Sequence, residues 1–267
     1  MHPLVDIGAN LTHESFNDDF DEVVLRATGV GVGQIVLTGT DHESSVRASE
    51  LSAANPSLFR STAGFHPHVA ANWSHESREI IEQLVTKKEV VAVGECGLDF
   101  NRDLSPRDIQ LSVFEQHLAL AAQVQKPVFL HQREAHEPFL DLLTHYRGSL
   151  VGGVVHCFTD TRQALEDYLA LDMHIGITGW VCDERRGIEL QDIVKHIPLE
   201  RLLIETDAPY LLPRTLRPRP KSRRNEPAYL PEVVRTLALC TGHSEEVIAR
   251  QTTRNAQRLF GLGNDTL

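Results

Sequence analysis

Eight short runs rich in β-branched and other apolar residues recur along the chain, at 4–11, 34–40, 61–67, 90–99, 127–133, 151–158, 174–181 and 201–210. The segments between them carry apolar residues at helical spacing. In HESREIIEQLVTKK (75–88), for example, Ile80, Ile81, Leu84 and Val85 fall on one face. SPRDIQLSVFEQHLALAAQ (105–123) is a second such segment, with Ser105 as its expected N-cap and Pro106 at the first helical position. A further helix is expected over 245–261, packed outside the rest. Strands that alternate with helices form a parallel sheet, and eight such units predict a closed (β/α)8 barrel. The 267 residues suit one such barrel, which typically takes about 250. A single domain over 1–267 is therefore expected. An open doubly wound sheet would want a glycine-rich phosphate loop after the first strand, and DIGANLTHES does not supply one.

Several function classes drop out early. No apolar stretch approaches the roughly 18 residues of a membrane span. The opening MHPLVDIGANL lacks the pattern of a secretory leader. Cys96, Cys157, Cys182 and Cys240 are scattered, which fits a reducing cytoplasm better than a disulfide framework. A net charge of −11 argues against a surface that coats nucleic acid generally. One local exception is PRTLRPRPKSRR (213–224), which holds Arg214, Arg217, Arg219, Lys221, Arg223 and Arg224 and no acid. By itself such a run reads as a solvated, proline-stiffened loop.

Chemistry in these barrels sits at the C-terminal strand ends. Those ends carry Asp6 and Asn10, His66 and His68, Glu95 and Asp99, His131 and Arg133, His156, then Glu205 and Asp207. A lone histidine there is more often a hydrogen-bonded structural residue, but packing alone does not generate a ring of carboxylates and imidazoles. Period-two alternation places Val91 and Val93 beneath Glu95 and turns Cys96 towards the helices. The same parity brings Glu95, His131, His156 and Asp207 together: two oxygens and two nitrogens, the composition of a divalent-metal hydrolytic centre. Asp99 reads equally as an orienting residue or a turn cap. Glu205 reads as an outer support or as the partner of an arginine.

GFHPH (64–68), GECGLDF (94–100), the strand-end His131 and His156, GWVCDERRG (179–187) and ETDAPYLLP (205–213) resemble the TatD family of metal-dependent deoxyribonucleases over essentially the whole chain. The resemblance implies an amidohydrolase-type barrel. It also implies Mg2+-dependent 3′-to-5′ exonuclease action on single-stranded DNA, and RNA, in repair or nucleic-acid degradation. It gives the metal positions to Glu95, His131, His156 and Asp207, one or two ions, with Mn2+ as the alternative cation. It gives a substrate-phosphate position to His66. Asp207 would also accept the proton of the attacking water, and His68, Arg133, Arg185, Arg186, Arg223 and Arg224 would bind the strand. Many relatives carry Asp-x-His-x-His on the first strand, where this chain has Asp6, Gly8 and Asn10. The bacterial branch shares that departure. A cytoplasmic monomer without a stable protein partner is expected. A small-molecule amidohydrolase or lactonase and a non-catalytic nucleic-acid-binding barrel stay open as alternatives.

Overall fold

The computed structural model describes residues 2–263. Its strands are β1 (Leu4–Ala9), β2 (Val32–Leu37), β3 (Phe59–Ala63), β4 (Val90–Asp99), β5 (Val128–Arg133), β6 (Gly153–Val155), β7 (His174–Ile177) and β8 (Leu202–Ile204). Its helices are α1 (Phe20–Gly29), α2 (His42–Ala54), α3 (His75–Leu84), α4 (Arg107–Val124), α5 (His136–Tyr146), α6 (Arg162–Ala170), α7 (Ile188–Ile193), α8 (Leu230–Thr241) and α9 (Glu245–Phe260). The strands form one sheet in sequence order. Beyond β8 the chain returns to β1, where Asp207 donates to Gly8 O (2.8 Å) and Asn10 to Ala208 O (2.7 Å). The expected (β/α)8 barrel is the fold.

The observed strands end earlier than the apolar runs. The run 201–210 leaves the ladder after Ile204, because Thr206 N–H turns to Asp6 Oδ1 (2.9 Å). Ser105 is not a cap either. Helix α4 starts at Arg107, with Pro106 in an extended conformation at the cap position. The Ser105 hydroxyl instead donates to His68 O and accepts from Ala71 N, both at 3.0 Å.

Backbone contacts group the chain into two compact units. One comprises Leu37–His156 and Glu166–His174. Here β4 pairs in parallel with β3 and β5, and all ten of its residues are buried. Helix α4 covers it with Val113, Phe114 and Leu118, and Phe114 stacks on Phe139 of α5 at 5.0 Å. The simple alternation expected along 90–99 is interrupted, since the register with β5 shifts between Val93 and Cys96. Backbone comes very close there. A β-carbon on Gly94 (φ 137°) would lie 2.1 Å from Phe129 O, and one on Gly97 (φ 145°) would lie 1.9 Å from His131 O. Only glycine fits at either position. Cys96 is buried as a small hydrophobe, and that burial pushes its thiol pKa up.

Of the described residues, the other unit comprises 2–36, 157–165 and 175–263. Helix α9, the expected outer helix, opens on the Ser244 cap and closes on Gly261 in the left-handed region. Its buried face includes Ile248, Ala256 and Phe260. Thr253 Oγ1 donates to Pro3 O (2.8 Å), and Asn255 Nδ2 to Leu199 O (2.7 Å) and Leu202 O (2.8 Å). These bonds satisfy carbonyls at the starts of β1 and β8.

Candidate active site

Four strands of the unit around β4 each deliver an imidazole or a carboxylate. Glu95 lies on β4, His131 on β5, His156 directly after β6 and His66 shortly after β3. They meet on one atom. Glu95 Oε1 is 2.8 Å from His156 Nε2, 3.1 Å from His131 Nδ1 and 3.2 Å from His66 Nε2. Ligand atoms of His66, Glu95 and His131 all lie within 4.8 Å of one another. His156 is fixed from the side by Phe129, ring to ring at 4.4 Å.

Each histidine is oriented by its second contact. His66 caps the short 3-10 turn Pro67–Asn72, and its Nδ1 accepts from His68 N (3.1 Å). A neutral His66 therefore carries its proton on Nε2 and faces Glu95 as a donor. Asp99 serves both roles that the sequence left open. Its Oδ1 caps a turn, accepting from Asn101 N (3.0 Å) and Arg102 N (2.8 Å). Its Oδ2 receives His68 Nε2 (2.6 Å) and lies 3.4 Å from His131 Nε2. That His131 nitrogen is buried and makes no well-formed hydrogen bond among the described residues.

Burial pushes the Glu95 carboxyl pKa up, but the surrounding imidazoles, His156 foremost, outweigh it and hold the pKa well below the usual range. Burial lowers His66 to about 4, against the attraction of Glu95. Burial also opposes charging of His131, yet the Asp99 and Glu95 carboxylates on its two nitrogens raise its pKa. An ionised, buried carboxylate amid three half-buried to buried imidazoles is a donor set that suits a divalent cation. The residues present fit a metal.

Asp207 belongs to the other unit. It follows β8 with φ 54°, and its Oδ1 accepts from Asn10 Nδ2 at 3.0 Å. Two residues nearby brace that turn. Asp6 takes Thr206 Oγ1 (2.5 Å) and Thr206 N (2.9 Å), and Asn225 Nδ2 donates to Thr206 O (2.8 Å). Burial raises the Asp6 carboxyl to about 7 in spite of those donors. Glu205 is buried and accepts from Cys157 N at 2.6 Å.

The arginines divide into two groups. Arg186 bonds Asp183 Oδ2 (3.0 Å) and lies over the Trp180 ring (4.5 Å), while Arg185 is 3.9 Å from Asp183. Arg214 pairs with Glu184 at 3.2 Å. Arg224 is committed to Asp19 (2.6 Å) and packs over Phe16 (4.8 Å), so its guanidinium already has a structural task. Arg133, Arg219 and Arg223 are exposed and have no side-chain partner among the described residues.

Sequence reasoning missed His117. It is buried on α4, donates from Nδ1 to Val113 O (2.7 Å) and accepts from Phe65 N (3.1 Å). It thus holds the backbone immediately before His66. Its signal was an imidazole on the apolar face of 105–123.

Residues 5–261 match the TatD related DNase family. The chain is 51% identical over 259 residues to a protein of Erwinia billingiae named 3′-5′ ssDNA/RNA exonuclease TatD, covering 97% of this chain and 99% of that one. It is equally similar, at 51%, to the protein of that name from Pantoea vagans, covering 97% and 100%. Among solved structures, YJJV, a TatD homolog from Escherichia coli K12, superposes with a TM-score of 0.88 at 28% identity over 97% of this chain and 98% of that one. The TatD family protein of Entamoeba histolytica gives 0.87 at 26% over 98% and 99%. A match of this extent, together with the His/Glu cluster, is decisive: the chain belongs to the TatD family of metal-dependent DNases and is a hydrolytic nuclease.

Proposed function

We propose that this protein removes nucleotides from the 3′ end of single-stranded DNA or RNA, using Mg2+, with Mn2+ as the alternative, held by Glu95, His131, His156 and Asp207. One observation carries the metal assignment: three imidazoles converge on a single oxygen of Glu95. The activity named for the relatives at about 50% identity supports the substrate and polarity. When bound, the cation supplies Lewis acidity and offsets charge on the phosphate. His66 presents Nε2–H to a non-bridging phosphate oxygen, the role its capped Nδ1 prepares it for. Asp207, oriented by Asn10, accepts the proton of the attacking water. Asp99 keeps His68 and His131 in place. Arg133, Arg185, Arg186 and Arg223 offer positive charge to the strand, His68 contacts it beside them, and Arg224 supports them from within the fold.

The chain acts as one domain over 1–267, as a monomer in the cytoplasm, in DNA repair or nucleic-acid turnover. Its free cysteines accord with that compartment, and no helix of the described residues is long and apolar enough to cross a membrane. Digestion of end-labelled single-stranded DNA, with EDTA and then with Mg2+, Mn2+ or Zn2+ restored, tests the proposal. Stepwise shortening from the 3′ end that EDTA stops and Mg2+ or Mn2+ restores is expected. Turnover undiminished in EDTA, or shortening from the 5′ end, overturns it.

A further inference from the structure

Tyr210 is a large aromatic side chain left 52% exposed three residues after Asp207. Its backbone N–H donates to Asp207 O at 2.9 Å, so a tight turn ties the ring to the carboxylate. The ring is supported from the side. His13 meets it edge-on, with ring centroids 6.0 Å apart and planes at 80°. His13 is itself held, because its Nδ1 accepts from Ser15 N (3.1 Å) and lies 3.0 Å from Ser15 Oγ. The turn that holds it, Glu14–Phe16, is fastened in turn by Arg224, which donates to Ser15 O and packs over Phe16. A surface aromatic so braced loses little freedom when a flat ligand lands on it.

The geometry points to the exposed face of Tyr210, backed by His13, as a stacking platform for an unpaired nucleobase of the substrate strand. This rests on the nuclease reading above and adds a base-binding position to it. Every base has a π-face, so stacking holds a strand without reading its sequence, as an exonuclease that advances along any strand requires. In a duplex the neighbouring base pairs cover that face, and pairing holds the base in the stack. The platform therefore selects unpaired ends, and it divides the labour: charge grips phosphates while Tyr210 grips a base.

The test uses the full chain with Mg2+ and a fluorescent single-stranded oligonucleotide with phosphorothioate linkages to resist cleavage. A matched strand that lacks bases near its 3′ end serves as control. Binding is read by anisotropy. Tyr210→Ala should weaken the normal strand about tenfold. Tyr210→Phe and Tyr210→Trp should bind like wild type, and the strand without bases should bind wild type and Tyr210→Ala alike. Equal binding of the normal strand by wild type and Tyr210→Ala overturns the proposal. So does equal weakening of both strands, which would give Tyr210 only a structural role, and so does absence of binding by wild type. Cleavage of an ordinary strand is scored separately. Base-dependent binding through Tyr210 without cleavage would sink the exonuclease reading and leave the platform standing.

Discussion

His66 approaches Glu95 with one nitrogen, Nε2 to Oε1 at 3.2 Å, while its other nitrogen is occupied by the His68 amide. His131 faces the same oxygen at 3.1 Å but has its far nitrogen beside a carboxylate. A histidine whose Nδ1 accepts a hydrogen bond has its lone pair used there and a proton on Nε2. One whose far nitrogen points to a carboxylate is set to offer its near lone pair to a cation. His66 and His131 are neighbours in space with opposite assignments.

Replacing His66 by Ala should therefore leave bound metal near wild-type content and lower kcat about 10² to 10³-fold, the usual loss for one donor to a developing oxyanion. His66→Gln should recover part of it. Metal analysis beside steady-state kinetics checks this, and a His66→Ala protein without metal would make His66 a ligand instead.

Glu95→Gln, His131→Ala and His156→Ala should each remove metal and abolish turnover in a protein that stays folded by circular dichroism. The two imidazoles converge on one Glu95 oxygen rather than on the apolar core, so all three side chains serve the site more than the fold. Near wild-type activity in any one variant removes that residue from the site.

The His117 pair of bonds requires a neutral imidazole, and burial lowers its pKa from 6.5 to about 4. The unfolded chain protonates first as pH falls, so the contribution is whole above about pH 6.5, declines towards pH 4 and is gone below it. The amount at stake is about 3 kcal/mol. Urea midpoints for wild type should drop through this window, and His117→Gln, less stable at pH 7, should drop less. Parallel curves for the two proteins would refute the assignment.

The basic run should split by function. Arg219→Ser and Arg223→Ser should each flatten the slope of log affinity against log salt by about 0.7 for a single strand. Arg224→Ser should instead lower stability by about 1 kcal/mol, since it leaves Asp19 only its 3.3 Å contact with Arg26 and unclamps Phe16. An unchanged slope in the first two marks a solvated loop. Thermal melts read the third, where an unaltered midpoint would show that the Asp19 pair contributes nothing.

The order of strands and helices was legible because period-two and period-3.6 patterns follow directly from which side chains must avoid water. Strand ends were not, since GFHP, HCF and ETDAPY continue the apolar pattern while the Thr206 amide, for one, turns to the Asp6 side chain. The imidazoles and Glu95 could be read from position along each strand. The register break beside Glu95 could not, because alternation assumes an even ladder. The Arg224 pair was not legible either: its partner Asp19 lies 205 residues away, and a charge run in isolation carries no trace of such a pairing.

The bonds from α9 to the edge of the barrel bear on how the molecule is made. Pro3 O, at the first strand, waits for Thr253, 250 residues later, and the Asp6 carboxylate waits for Thr206. At synthesis rates of about 5–20 residues per second, β1 leaves the ribosome roughly 12–50 seconds before the helix that secures it. During that interval the segment from Leu4 to Ala9, apolar at five of its six positions if glycine is counted, has none of its lasting neighbours from β8 or α9. A segment of this kind is prone to aggregate while it waits, and the protein's yield in the cell should depend on what shelters β1 until α9 arrives.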